Sequence, residues 1–321
     1  MATVERSAAG DATAGGRTVR RAAVIGTGTM GPGMGAVLAR AGVAVALYDV
    51  SDEALERSKA GVGLAEKVLD QLETPHVEGG SVRYTADLGD ALEGVQFVLE
   101  AVPEKLELKH QVFGDLERHV GDDTVLASNT SGIPITKIAE ACERPERVVG
   151  MHWSNPPHLI PMIEVIPGEQ TSQEAVDTTA ELVRRVGYHP VQEREVPGFV
   201  ENRILYAILR ECLDLVDRGI ISPEGLDLNV RWGIGYKLAV IGPMELLDMA
   251  GLDIYKAVGT YLNPDLSTKG EVSSTILDLI DKGRLVMKTG GGLYDYTPEQ
   301  INELRASRVA KLIAVRKALE A

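Results

Sequence analysis

The chain has 321 residues, of which 44% are hydrophobic but only 4% aromatic, so it can form two domains whose cores rest mainly on aliphatic side chains. Its formal net charge is -14, and a chain without a basic field is not expected to bind nucleic acid. No apolar run reaches the length that a membrane span needs, so no membrane partner is expected. The cysteines, Cys142 and Cys212, lack metal-site spacing, which predicts a reduced cytoplasmic protein without disulfides or a bound metal.

The first predicted strand, Arg21–Ile25, leads into Gly26-Thr-Gly-Thr-Met-Gly31 and then into a helical stretch. This is the G-x-G-x-x-G pattern in the strand, turn and helix setting of a dinucleotide site. Gly26 permits the tight turn, Gly28 lets a pyrophosphate approach the backbone, and Gly31 lets the helix sit close to the sheet. A glycine-rich turn without a ligand is the alternative. The motif predicts cofactor contacts from Gly26, Gly28, Thr29, Met30 and Gly31.

The second predicted strand, Val43–Tyr48, ends at Asp49, which stands 18 positions after Gly31. A carboxylate at this point accepts hydrogen bonds from the hydroxyls of the adenosine ribose and repels a 2′-phosphate. The sequence therefore predicts NAD rather than NADP as the cofactor.

Predicted strands and helices alternate through the first half of the chain, which indicates a parallel sheet with helices on both faces. A helical pattern covers Ser51 to about Leu72, and further strands are predicted at Phe97–Val102, Thr124–Ala127, Arg147–Met151, Glu164–Ile166 and Tyr188–Val191. From Phe199 to Arg218 the apolar residues have helical spacing, and helical periods dominate to the end. The fold class is α/β, with a disordered leader over residues 1–19, a Rossmann-like NAD-binding domain over 20–196 and an all-α domain over 197–321.

A candidate proton acceptor lies further along, where two apolar runs are joined by a proline-rich reversal. The first run carries His152 and the second carries Glu164. A neutral imidazole can take a proton from an alcohol, and a carboxylate on its other nitrogen fixes the tautomer and stabilises the imidazolium. Taken alone, a histidine at the end of a strand is more often structural. The dinucleotide motif upstream favours the catalytic interpretation.

Together these residues resemble the L-3-hydroxyacyl-CoA dehydrogenase family, from about Val19 to Tyr296. The resemblance is carried by the glycine motif and by Glu100-Ala-Val-Pro-Glu104, Ser128-Asn-Thr-Ser131, His152 to Glu164, and Pro197-Gly-Phe-Val-Glu-Asn-Arg203. It implies oxidation of a secondary 3-hydroxyl to a ketone with hydride transfer to NAD. It also implies a homodimer that pairs through the helical domain.

The same resemblance assigns roles to six residues. It makes His152 the base and Glu164 its partner. It assigns the substrate oxygens to Ser131 and Asn202, and it places Glu104 and Lys109 beside the nicotinamide half of NAD. The last four also have structural interpretations, as loop caps or as a solvated helix start.

The substrate is less clearly indicated. The Asn-Pro-Pro sequence that follows His152 resembles the branch with lambda-crystallin and L-gulonate 3-dehydrogenase, which oxidises free hydroxy acids. A predicted helical pair between Asp49 and Val82, where acyl-CoA members bind CoA with basic residues, is acid-rich here. Against this, Glu245–Asp253 and Lys288–Tyr296 resemble the acyl-CoA branch. A small non-CoA hydroxy acid is favoured over 3-hydroxybutyryl-CoA, and a catalytically silent, crystallin-like NAD-binding protein is the alternative of another class.

Overall fold

A computed structural model of the chain describes residues 16–285 and 289–321. The chain divides into two compact units, the first ending at Val200 and the second beginning at Glu201. The first 15 residues of the predicted leader lie outside the described residues. Val19, at the end of that predicted leader, is buried in the core of the first unit.

The first unit contains one eight-stranded sheet with helices between its strands. Its strands are β1 Arg21–Ile25, β2 Ala44–Tyr48, β3 Ser81–Thr85, β4 Phe97–Glu100, β5 Val125–Ser128, β6 Val148–Trp153, β7 Met162–Pro167 and β8 His189–Gln192. The helices are α1 Gly31–Arg40, α2 Asp52–Gln71, α3 Leu88–Leu92, α4 Leu106–His119, α5 Ile135–Ala139 and α6 Gln173–Arg185, with a 3-10 turn at Pro145–Arg147.

The strand order is β3-β2-β1-β4-β5-β6-β7-β8, so the chain reverses its direction of winding between β1 and β4. The strands from β3 to β6 in this order are parallel, β7 is antiparallel to β6, and β8 is parallel to β7. Ligands bind in α/β sheets of this kind at the carboxyl ends of the strands that flank the reversal. The topology therefore places a binding crevice above β1 and β4.

The sheet departs from the sequence prediction at its edge. The sequence predicts a helical pair between Asp49 and Val82, but the structure has a single helix, α2, followed by the edge strand β3. That strand pairs only with β2 among the described strands, and none of its residues is buried. Its short, half-polar sequence gives no apolar run for a pattern to detect, which is typical of edge strands.

The second unit is helical. Its elements are α7 Phe199–Asp217, which begins at the end of the first unit, α8 Pro223–Asn229, a π-helical turn Val230–Gly235, α9 Tyr236–Leu238, α10 Pro243–Ala250, α11 Leu252–Leu262, α12 Ser274–Asp281 and α13 Pro298–Glu320. Ser222 caps α8 by accepting a hydrogen bond from Gly225 N, with Pro223 in the first turn. No helix in the described ranges is long and apolar enough to cross a bilayer.

Candidate active site

The glycine loop after β1 makes a turn that only glycine fits at two positions. Gly26 has a φ of +103°, and a Cβ there would lie 2.8 Å from the carbonyl oxygen of Ala101. A Cβ on Gly31 would lie 2.2 Å from the carbonyl oxygen of Gly26, so any side chain would push α1 away from the loop. A Cβ on Gly28 would meet no atom within 4 Å. The loop is therefore tight at both ends and open in the middle.

That opening faces a cleft of about 800 Å³ at the carboxyl ends of the strands. Gly28, Thr29 and Met30 line one side of it. Helix α1 begins at Gly31, and its N-cap residue, Met30, supplies no side-chain hydrogen bond to the first turn. Backbone N–H groups and the helix dipole favour an anion at such a terminus. The volume and the uncapped helix fit the pyrophosphate of a dinucleotide.

Asp49 lines the same cleft at the end of β2. Its Oδ2 accepts hydrogen bonds from Thr27 N at 2.9 Å and from Thr27 Oγ1 at 2.8 Å, while its Oδ1 accepts one from Ser51 N at 3.1 Å. These donors fix the rotamer of the carboxylate, whose two oxygens have further lone pairs for ribose hydroxyls. The half-buried carboxylate is thus held in place by the protein alone.

Glu104 and Ser131 meet on the wall of the cleft. Glu104 Oε1 accepts hydrogen bonds from Thr130 Oγ1 at 2.5 Å and from Ser131 N at 2.9 Å. Partial burial raises the pKa of Glu104, but the Thr130 hydrogen bond, the charge of Lys109 and the Ser131 N–H outweigh it, and the net pKa lies below the usual value. Glu104 is consequently an anion over the whole physiological range.

Lys109 lies behind Glu104 rather than on the cleft wall. Its Nζ is 2.8 and 2.9 Å from the two carboxylate oxygens of Glu100 and 3.3 Å from Glu104 Oε2. Both Lys109 and Glu100 are buried, and Glu100 also accepts hydrogen bonds from Ser128 Oγ and Val102 N. The structure therefore places Lys109 in a buried ion pair that supports Glu104 from behind.

His152 and Glu164 stand opposite each other in the antiparallel ladder of β6 and β7. His152 Nδ1 lies 2.6 Å from Glu164 Oε2, and both side chains are buried. Because a carboxylate can only accept, Nδ1 carries the proton, and the lone pair of the neutral ring is on Nε2. The Phe199 ring packs on the imidazole at a centroid distance of 5.7 Å. The ladder, the carboxylate and the aromatic ring together fix the orientation of the imidazole.

A side-chain hydrogen bond ties the histidine strand to the cleft. Asn129 lines the cleft, and its Oδ1 accepts a hydrogen bond of 2.8 Å from the backbone N–H of Trp153, the residue next to His152. The first unit thus brings together the glycine loop, Asp49, Glu104 and Ser131 on one cleft, with the His152 dyad on the adjoining strands. Asn202 lies on α7 in the second unit.

Two supporting residues lie within the motifs that carry the resemblance, but no role was predicted for them from the sequence. Glu100 neutralises Lys109, and the Thr130 hydroxyl holds Glu104. Glu100 is the last residue of a buried strand, and a carboxylate at that position is a signal, because a buried carboxylate needs a cation or several donors. Thr130 carried no such signal.

Comparison with known proteins agrees with this geometry. Residues 21–196 match the family model described as 3-hydroxyacyl-CoA dehydrogenase, NAD binding domain, and residues 198–296 match the C-terminal domain of the same family. The chain belongs to the 3-hydroxyacyl-CoA dehydrogenase family. It is an NAD-dependent oxidoreductase, as the glycine motif and Asp49 predict, and the expected α/β fold with a helical second part is confirmed.

Similar proteins within the family differ in the substrates that their names give. The chain is 53% identical over 305 residues to 5-formyl-3-hydroxy-2-methylpyridine 4-carboxylate 5-dehydrogenase of Mesorhizobium japonicum, covering 94% of this chain and 99% of the relative. A crystal structure of an enzyme of that name, described as an NAD+ dependent dismutase, has a TM-score of 0.93 and covers 95% of this chain and 99% of its own. The human mitochondrial hydroxyacyl-coenzyme A dehydrogenase is 32% identical over 308 residues, covering 92% and 97% of the two chains.

Proposed function

We propose that this family member oxidises a small, carboxylate-bearing substrate that is not a CoA thioester. The observation that carries the proposal is the 53% identity, over nearly the whole of both chains, to a dehydrogenase named for a formyl pyridine carboxylate. The relatives named for CoA substrates reach 32–36% identity.

The charge of α2 supports a substrate without CoA. This helix has five acidic and three basic residues. Two of the three basic side chains pair with acids of the same helix, Arg57 with Glu53 and Lys59 with Glu56. Arg40 of α1 pairs with Glu66 and Asp70 of this helix, which leaves one net negative charge, and that charge repels the phosphates of CoA rather than attracting them.

In the proposed reaction, the proton leaves the hydroxyl oxygen and the hydride leaves the carbon that bears this hydroxyl, in different directions. Bound NAD supplies the hydride acceptor at its nicotinamide ring. His152 Nε2 takes the hydroxyl proton, and Glu164 stabilises the resulting imidazolium through the Nδ1–H hydrogen bond. Ser131 and Asn202 hold the substrate oxygens, and Glu104 borders the nicotinamide half, with Lys109 behind it.

The same residues can act on an alcohol or on an aldehyde. An aldehyde adds water to form a hydrate, which carries a hydroxyl and a hydrogen on one carbon, as a secondary alcohol does. Loss of the proton to His152 and of the hydride to NAD then yields a carboxylic acid from the hydrate and a ketone from the alcohol. One base and one hydride acceptor therefore serve both substrates.

The test is NADH formation by the purified chain with a substrate panel at alkaline pH. The panel contains 5-formyl-3-hydroxy-2-methylpyridine 4-carboxylate, 3-hydroxybutyrate, L-gulonate, carnitine and 3-hydroxybutyryl-CoA. We expect the non-CoA acids to include a substrate whose kcat/KM exceeds that of the thioester by about 100-fold or more, which equals roughly 2.7 kcal/mol of transition-state binding. A higher kcat/KM for the thioester contradicts the proposal.

A 3-hydroxyacyl-CoA substrate is the second candidate. It is favoured by the 36% identity over 281 residues to a probable 3-hydroxybutyryl-CoA dehydrogenase of Deinococcus radiodurans. Binding of NAD without turnover of any panel member would instead favour the crystallin-like, non-catalytic alternative.

We further propose that the chain is a homodimer that pairs through its helical domain, residues 197–321. Ile313 is the only buried apolar side chain among the described residues of the second unit. Large apolar side chains are more than half exposed on several of its helices, among them Ile204, Tyr206, Tyr236, Met249 and Tyr261. Helices with this much open apolar surface need a partner to cover it, and a second copy supplies a matching one.

We propose a cytoplasmic location, in keeping with the free thiols Cys142 and Cys212.

A further inference from the structure

Glu193 directly follows β8 and has no role in the reaction described so far. Its backbone N–H donates to the Val165 carbonyl on β7, so it continues the pairing of β8 with β7. Glu164 is in register with Val191, two residues before Glu193, and His152 is in register with Glu164. Because strand side chains alternate, His152, Glu164 and Glu193 project from the same face of the sheet.

The two carboxylates meet at one backbone donor. Val200 N–H donates to Glu164 Oε1 at 3.1 Å and to Glu193 Oε1 at 3.0 Å. A single N–H cannot neutralise two anions, and the charges repel each other at this separation. The other oxygen of Glu193, Oε2, is buried and receives no hydrogen bond from the described residues. A proton on that oxygen removes the repulsion and satisfies the buried atom.

We infer that Glu193 is a positioning residue that holds a proton against Glu164 and thereby sets the basicity of His152. While Glu193 is protonated, it donates a hydrogen bond to Glu164 and adds no negative charge beside the imidazole. When it ionises, its added negative charge stabilises the imidazolium of His152. The inference rests on the proposed role of His152 as the base.

The electrostatics of the site agree with this arrangement. Burial, the charge of Glu164 and a hydrogen bond to Glu164 raise the pKa of Glu193 to about 7, against the opposing influence of the Val200 N–H and of His152. Within the first unit, the charged groups that act on Glu193 are thus His152 of β6 and Glu164 of β7. Glu201, an acid of the second unit, carries the same charge in the wild type and in a Glu193 variant, so it does not contribute to the difference between them. Glu193 therefore gains or loses its proton near neutral pH, the range in which His152 acts as a base.

The deciding variant is Glu193→Gln, whose amide can still donate to Glu164 but never ionises. In this variant residue 193 adds no charge near His152 at any pH, so the imidazolium loses its proton at a lower pH than in the wild type. We expect the midpoint of the His152 titration, followed by NMR of isotope-labelled histidine in the NAD-bound protein, to fall by about 0.5 pH unit or more. The rising limb of kcat/KM against pH moves in the same direction. Identical midpoints in the two proteins overturn the inference.

Two further variants separate charge from structure. Glu193→Ala also removes the charge and is expected to lower the His152 midpoint, with an additional loss of kcat because the hydrogen bond to Glu164 is gone. Glu195→Gln is the matched control, since Glu195 lies on the same segment but accepts hydrogen bonds from Thr136 N and Oγ1 instead. It is expected to leave the midpoint unchanged, and a shift equal to that of Glu193→Gln counts against a specific role.

The NMR measurement needs no substrate. If the chain oxidises no member of the panel, the proposed function fails while the His152 titration still decides the role of Glu193. If it oxidises a panel member but Glu193→Gln shows the wild-type midpoint, only the role of Glu193 fails.

Discussion

His152 is the residue on which the proposed chemistry depends most directly. Its Nδ1 is occupied by Glu164 at 2.6 Å, so proton transfer takes place at Nε2. It is buried on a strand of the first unit and does not belong to the glycine loop or to the Asp49 contacts. Removal of the imidazole should therefore lower turnover while it leaves the affinity for NAD nearly unchanged.

We predict that His152→Ala lowers kcat by about 10²–10⁴-fold or more, the usual contribution of a positioned acid or base. The dissociation constant for NAD, measured by calorimetry, should change by only a few-fold. His119→Ala is the control, because His119 is exposed on α4 and bonds only the Asp115 carbonyl among the described residues. Loss of NAD binding in His152→Ala would contradict the assigned role.

Asp49 allows a second prediction at this scale, on cofactor choice. Asp49→Asn removes the charge that repels a 2′-phosphate and weakens the hydrogen bonds to the ribose. A hydrogen bond to a charged group contributes about 1.5–3 kcal/mol, so NAD affinity should fall by roughly 10-fold or more. The NADP affinity should fall less or rise, and titration of both cofactors measures the ratio. Asp52→Asn, an exposed acid in the first turn of α2, should leave that ratio unchanged.

The site residues differ in how far the sequence could predict them. The glycine loop and Asp49 follow from local spacing, because one turn and one strand end place them on the cleft. The role of Glu193 depends on the pairing of β8 with β7 and on an N–H of α7, which no local pattern encodes. Lys109 was predicted beside the nicotinamide, but its burial against Glu100 depends on how α4 packs on β4.

At the scale of elements, the contact between β4 and α4 contains an ion pair buried on both sides, Glu100 with Lys109. Removing one partner of such a pair leaves an unpaired charge, which is more costly than replacing both. This asymmetry distinguishes the pair from the exposed ion pairs on the surface of the unit.

Lys109→Met should lower the free energy of unfolding by about 3–5 kcal/mol, since Glu100 is then buried without a cation. The double variant Glu100→Gln with Lys109→Met should recover most of that loss. Urea denaturation measures both values, and Lys105→Met, at the exposed N-cap of the same helix, is the control. A loss below about 1 kcal/mol in the single variant would mean that the pair behaves like a solvated one.

The elements with apolar runs or helical periods were predicted from the sequence, with ends that match the structure or lie one or two residues away. Strand β1 matches its predicted range, α2 lies one residue inside the predicted one at each end, and α7 ends one residue earlier than predicted. The edge strand β3 was missed because its residues do not form a buried run. The antiparallel direction of β7 is compatible with the proline-rich reversal, but a parallel sheet was the general expectation.

At the scale of the whole molecule, the two units differ in how they bury apolar surface. The sheet strands of the first unit are largely buried, whereas the described helices of the second leave most of their apolar side chains at least partly exposed. Burial contributes about 25 cal/mol per Å² of apolar surface, so a unit of this kind gains much of its stability from assembly.

We therefore predict that the chain sediments as a dimer, with about twice the 34.5 kDa of one chain, at micromolar concentration. The midpoint of thermal unfolding should rise with protein concentration, because association stabilises the folded form. Met249→Glu introduces a charge on an exposed apolar position of α10, and Glu303→Gln on α13 is the polar control. A monomer whose unfolding midpoint is independent of concentration would contradict the proposed pairing.

The hairpin of β6 and β7 fixes the distance between His152 and Glu164 through its own ladder of paired residues. Five ladder pairs, from Val149 with Pro167 to Trp153 with Ile163, fix the spacing of His152 and Glu164. The connecting loop, residues 154–161, lies beyond the last pair and takes no part in that spacing. The loop is itself packed on the first unit, because Leu159 is buried and the Pro157 carbonyl accepts a hydrogen bond from the Tyr188 hydroxyl. A replacement loop that keeps these contacts can therefore present different side chains to a substrate while the dyad keeps its geometry.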